Sequence, residues 1–225
     1  MEERTYYSYD GSFAGLLTCV EESFRRGERP AGICPAGEGV PAPCRRVVTD
    51  PNRARAFYRR IGETATKDAQ RLVAHAYLTC LEDREMAIWR FLDLARQRGS
   101  GVMYTLNDPR VSTLNRAVRA MAAEARQYRT SARFSDSGGL LWSGIAPENR
   151  VLYLLRSHFC QRFAGESLLI YDSSHREVLL YRKGKWHIRP APALELPPEQ
   201  PEEEDCNALW RRFEGLWTQR RGVPR

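Results

Sequence analysis

The chain has 225 residues, 42% hydrophobic and 28% charged, a globular composition that excludes collagen-like, repeat-dominated and wholly disordered readings. No run approaches the ~20 consecutive apolar residues of a membrane-spanning helix, and Met1-Glu2-Glu3-Arg4 is followed by no hydrophobic secretory core, so a cytoplasmic protein without membrane association is expected. The formal charge is +7, yet residues 190–209 hold six acids and no Lys or Arg, which leaves +13 on the remainder, a body suited to a polyanion. Of the 35 basic residues 32 are Arg, a skew that genomic base composition also produces, so an ordinary basic surface is the alternative.

Thr5-Tyr6-Tyr7-Ser8-Tyr9 reads as a strand and Asp10-Gly11-Ser12 as a turn. Phe13, Leu16, Leu17, Val20 and Phe24 then fall on one helical stripe, which Ser12 can cap and Gly27 can end. Residues 30–44, with four prolines and three glycines, read as a loop. Asp50-Pro51 opens a basic helix that ends near Gly62, and helices are expected from Lys67 to Leu81 and from Arg84 to Arg98, the last stopped by Gly99-Ser100-Gly101. Asp108-Pro109 opens a helix whose Val111, Leu114, Val118, Met121 and Ala125 face inward, leaving Arg116, Arg119 and Arg126 outside that stripe.

From residue 130 the period changes. Ser131–Phe134 and Leu140–Ile145 flank Asp136-Ser137-Gly138-Gly139 as a hairpin, Pro147 begins a helix, and Leu168–Tyr171, Val178–Tyr181 and Trp186–Ile188 follow as strands. The fold class expected is α+β: a mostly helical first half, an antiparallel β-β-α-β-β unit, and a C-terminal helix after an acidic proline-rich linker. The expected domains are a single α+β domain over 1–189 (helical over 1–129, β-β-α-β-β over 130–189), a linker over 190–204, and an amphipathic helix over 205–225 carrying Leu209, Trp210, Phe213, Leu216 and Trp217 on one side.

Six cysteines without a C-x-x-C pair and four scattered histidines point to no zinc site, and neither a metal nor a cofactor is expected. Asp10, Gly11 and Ser12, at a strand-to-helix turn, can hold a phosphate on free N–H groups, or simply cap the helix. Residues 45–60 carry six arginines against Asp50; Arg53, Arg55 and Arg59, beside Phe57 and Tyr58, can track a phosphate backbone or form a solvated face. After residue 130, Arg133, Trp142, His158, Arg162 and Asp172 are the densest set able to stack, donate and exchange protons, with Asp172 and His158 as catalytic candidates. Core packing of the aromatics is the competing reading.

Two blocks carry a likeness: Tyr9-Asp10-Gly11-Ser12-Phe13 with Leu16 and Leu17, and Ile145-Ala146-Pro147-Glu148-Asn149 continued by Leu154-Leu155, His158-Phe159 and Arg162-Phe163. With Ile170-Tyr171-Asp172 and Leu180-Tyr181, the chain resembles, from residue 5 to about 217, a bacterial family assigned to DNA metabolism or repair. That domain of unknown function is found fused to uracil-DNA glycosylase-like domains and accompanies a radical S-adenosylmethionine protein. The family pattern places a His and a basic residue after Glu124, where this chain has Ala125-Arg126, and continues beyond the final Trp-containing helix. The likeness implies a DNA-binding accessory factor, partnered by single- or double-stranded DNA and by a radical S-adenosylmethionine enzyme or a uracil-DNA glycosylase-like protein. The same residues admit a base- or nucleotide-processing enzyme of glycosylase-like hydrolysis, and the two-Trp helix admits a protein-protein adaptor.

Overall fold

A computed structural model describes residues 5–37, 43–192, 194–198 and 202–218. Among the described residues it contains seven α-helices and eight strands, helical first and closed by a five-stranded sheet and a last helix, which is the α+β architecture expected. The chain divides into two compact units, Met1–Arg119 and Ala120–Arg225. No helix of the described residues is long and apolar enough to cross a membrane.

The first unit is built on β1 (Tyr6–Tyr9), α1 (Phe13–Arg26), β2 (Gly32–Pro35), β3 (Cys44–Arg46), α2 (Pro51–Thr64), α3 (Lys67–Ala76) and α4 (Arg84–Arg98), followed by a 3-10 turn over Gly99–Tyr104. The segment expected to be a loop contains β2 and ends at the first residue of β3, and the two strands pair in parallel on either side of β1. Pro30, Pro35 and Pro43 sit at the ends of the pairing, where a missing N–H is tolerated, and Gly32 leaves room for the Tyr6 ring, which a Cβ there, at 2.9 Å, would push aside. Cys34 and Cys44 pair with Ser8 and Tyr6 from opposite sides of β1, and both are free thiols. α3 stops five residues earlier than its apolar pattern suggests, because the chain tightens into i,i+3 bonds from Leu78 to His75 and from Thr79 to Ala76. Tyr7, Leu16, Val20, Phe57, Val73, Ile88, Phe91 and Leu114 belong to its core.

α5 (Pro109–Ser131) crosses the boundary between the units, and the second unit continues with β4 (Ser135–Ser137), β5 (Leu140–Ile145), α6 (Leu152–Arg162), β6 (Ser167–Asp172), β7 (Glu177–Arg182), β8 (Lys185–Pro190) and α7 (Glu203–Thr218). The strand order is β4-β5-β6-β7-β8. Its pairings are antiparallel except β5 with β6, which run parallel because α6 carries the chain back between them; the expectation of a wholly antiparallel sheet is corrected there. The helix α5 runs through Ser131, so the first hairpin strand begins at Ser135 rather than Ser131.

Both faces of this sheet are covered, which explains strands that read as continuous apolar runs. Leu140, Trp142, Leu169, Tyr171, Val178 and Leu180 line one face against Leu209 and Phe213 of α7. Alternation sends Leu168, Ile170 and Leu179 to the other face, where α6 packs. The two tryptophans of α7 lie against this same core, and Trp210 Nε1 donates to the Ser137 carbonyl at 2.9 Å.

Candidate functional site

In the first unit, the turn after β1 is held by its own side chains. Asp10 Oδ1 accepts from the Ser12 N–H at 3.0 Å and from the Ser12 hydroxyl at 2.7 Å, while Ser12 Oγ accepts from the Gly15 N–H at 2.9 Å. Burial works to raise the Asp10 carboxyl, but the hydrogen bonds from Ser12 and Thr49 outweigh it and keep the group below its ordinary range. Gly11 adopts φ +80°, and its carbonyl accepts from the Tyr77 hydroxyl. The geometry is that of a capped helix with an Asx turn in front of it.

The basic helix α2 sorts its arginines into two kinds. Arg53 is bound to Glu21 and, at 2.9 Å, to Glu22. Glu22 also takes Arg25 at 2.8 Å and Arg26 at 2.6 Å. Arg55 is exposed and has no ion pair among the described residues, and Arg59 stands 3.6 Å from Glu63 with both side chains mostly in solvent. Arg116 and Arg119 on α5 are exposed and likewise unpaired.

In the second unit Arg126, Arg133 and Arg162 are exposed, and none has an ion pair among the described residues. Trp142 is a core residue, 8% exposed, whose Nε1 donates to Ser137 Oγ at 3.0 Å, so it presents no ring to solvent. His158 and Asp172 have different partners. The His158 ring packs edge-on against Phe159, with Nε2 buried and without a hydrogen bond among the described residues. Asp172 is fully buried at the end of β6, where its carboxylate accepts from the His175 N–H at 3.0 Å and meets His175 Nδ1 at 2.8 Å.

That contact belongs to a polar cluster at the end of β5, β6 and β7. Asp172 sits across from Glu177 in the β6–β7 ladder. Burial pushes the Glu177 carboxyl up, against the pull of Arg150, which donates to its Oε1. Its Oε2 is buried without a partner among the described residues. Glu124 of α5 clamps the neighbouring loop by accepting from the N–H groups of Glu148 (2.6 Å) and Asn149 (3.0 Å) and from Asn149 Nδ2 (2.7 Å). An imidazole held by a buried carboxylate, near a carboxyl that burial pushes up, brings together groups of the kind that exchange protons. The same contacts also close the tight Asp172–Glu177 turn.

Sequence reasoning singled out Asp172 but not its neighbours His175, Glu177 and Arg150, and met Glu124 only at the edge of a family pattern. Only Asp172-Ser173-Ser174-His175, an Asx turn with a ring three residues on, signals the pairing. The other members come from separate elements.

An α+β chain with a helical unit, a covered mixed sheet and a polar cluster at one sheet end is the class of protein defined so far. The chain belongs to the family described as a domain of unknown function, DUF4130, whose sequence model matches residues 82–217. That segment contains the whole cluster around Asp172; the Asp10-Gly11-Ser12 turn precedes it. No curated protein matches the chain closely enough to be a relative.

Proposed function

We propose that the protein binds nucleic acid as an accessory factor of DNA repair or DNA metabolism, working with a radical S-adenosylmethionine enzyme or a uracil-DNA glycosylase-like protein. The observation that carries this reading is a set of exposed arginines with no carboxylate beside them among the described residues. Arg55, Arg116, Arg119, Arg126, Arg133 and Arg162 have no ion pair among the described residues, whereas Glu21, Glu22, Glu28, Asp93, Asp108 and Glu177 each hold an arginine. Unpaired guanidiniums are the groups that replace counterions on a phosphate backbone. The bacterial likeness supplies the class of partner. Anisotropy titrations of labelled single- and double-stranded oligonucleotides across a salt series test it: affinity should fall steeply with salt, and a flat response on both strand forms would overturn the reading.

A second reading, glycosylase-like hydrolysis of a base or nucleotide, is favoured by the Asp172–His175 contact beside Glu177. It expects abasic or nicked product from damaged or uracil-containing duplexes, lost in Asp172→Asn and in His175→Ala and retained in His158→Ala. No product across that panel with the partner enzyme supplied rejects it.

A further inference from the structure

We infer that a pocket in the first unit, walled by α1, α2 and α4, takes a nucleobase together with its phosphate. Resting on the nucleic-acid reading, the inference assigns a base-holding slot to residues outside the arginines named for backbone contact. The pocket measures about 590 Å³, within the roughly 300–1,000 Å³ of small-ligand sites. Phe24, Phe57 and Leu92 give it an apolar lining, and its charged residues are Arg25, Arg60, Arg96 and the single acid Glu21.

Three features select a flat anion. The two rings meet edge-on, centroids 6.2 Å apart, so the lining is aromatic rather than merely aliphatic. The Arg96 guanidinium lies 5.3 Å from the Phe24 centroid and that of Arg60 lies 5.8 Å from Phe57; guanidiniums held on rings are placed to stack on a planar ligand as well as to bind its phosphate. The nearby acids are already engaged: Glu21 and Glu22 hold Arg53, and Asp93 holds Arg96 at 3.2 Å and Gln97 at 2.9 Å. Arg60 has no ion pair among the described residues, so the wall keeps uncompensated positive charge. Arg25 and Arg96 are shared with Glu22 and Asp93, so Arg60 is the guanidinium left to meet a ligand's negative charge.

The base and phosphate can come from a free nucleotide or from a single strand, and competition separates them. The full chain is titrated by calorimetry with dAMP, with deoxyribose 5-phosphate and with inorganic phosphate, and dAMP is then competed with an unlabelled single-stranded oligonucleotide. Stacking should make dAMP bind about tenfold or more tighter than deoxyribose 5-phosphate. Arg60→Glu, an exposed change that leaves the core intact, should weaken dAMP about tenfold, while Phe57→Leu should weaken dAMP and leave deoxyribose 5-phosphate unchanged. Competition by the oligonucleotide assigns the slot to a strand, and its absence assigns it to the free nucleotide. Equal affinities for dAMP and deoxyribose 5-phosphate, or dAMP binding indifferent to Arg60→Glu, overturn the inference. If oligonucleotides bind and Arg60→Glu changes nothing, the slot fails while the nucleic-acid reading stands; if Arg60-dependent dAMP binding occurs with no oligonucleotide binding at any salt, that reading fails and the slot stands.

Discussion

The carboxylate of Asp172, fully buried, meets Nδ1 of His175 at 2.8 Å and accepts the His175 N–H at 3.0 Å. One side chain therefore orients an imidazole and closes a turn, and one mutation removes both. Asp172→Ala leaves both groups of His175 without their acceptor, at an expected loss of about 1–3 kcal/mol in stability. Urea unfolding gives that loss, and hydrogen exchange should show faster exchange at the His175 amide while the amides of α1 stay unchanged. Unaltered exchange at His175 would mean that the turn does not depend on the carboxylate.

Glu22 should make the stability of the first unit depend on pH on the acid side. Hydrogen bonds from Arg53, then from Arg26 and Arg25, outweigh burial and hold its carboxyl at about 2, against an ordinary value of 4.5. A carboxyl lowered in the folded state stabilises fully above its unfolded value and loses that contribution as pH falls toward its folded one. Stability should therefore fall between about pH 4.5 and pH 2. Glu22→Gln should flatten that part of the profile in thermal melts at a pH series, with part of the loss already present at pH 7.

Gly15 is fixed by proximity rather than by its backbone angle. A Cβ there would sit 2.2 Å from Asp10 Oδ1, 2.8 Å from Thr49 Oγ1 and 2.8 Å from the Tyr9 ring. Gly15→Ala must push the Asp10 carboxylate off Ser12, with an expected loss of about 1–3 kcal/mol. Gly27→Ala, at φ +68° with nothing within 4 Å of the added atom, should lose only the left-handed strain of about 1–2 kcal/mol. Denaturant midpoints measure both, and nucleotide and DNA binding should follow the folded fraction in each.

The helices were legible in the sequence wherever a cap and a stripe coincided. Ser12 with Gly27 and Asp50 with Pro51 bound α1 and the start of α2 as read, because caps and periodicity are local. β2 and β3 were not legible, since their pairing with β1 satisfies a proline-rich backbone from a distance that the local composition does not report. The parallel β5–β6 pair was hidden for the same reason: a strand sequence does not carry the direction of its neighbour. At the site, Asp172 and His158 were singled out as separate candidates; the contact that Asp172 makes with His175 was signalled only by their three-residue spacing. Glu124 was noticed only as the edge of a family pattern, yet it holds the Glu148-Asn149 loop through three hydrogen bonds.

Arg53, Arg55 and Arg59 looked alike in the sequence, and the structure predicts that they behave differently. Arg53 carries the charge balance of Glu21 and Glu22, so Arg53→Ala should destabilise the first unit and, once the folded fraction is accounted for, leave the salt dependence of DNA binding unchanged. Arg55 is exposed and Arg59 has only a 3.6 Å contact to Glu63 in solvent, and exposed pairs of that kind contribute about 0–1 kcal/mol. Arg55→Ala with Arg59→Ala should thus leave the melting temperature nearly unchanged and, if both guanidiniums lie on phosphates, lower the salt slope by about two units without altering base preference. Binding isotherms between low and moderate salt, set beside melting curves of the same variants, resolve the two effects. A slope that falls in Arg53→Ala and holds in the double variant would reverse the assignment and place the phosphate contact at the ion-paired arginine.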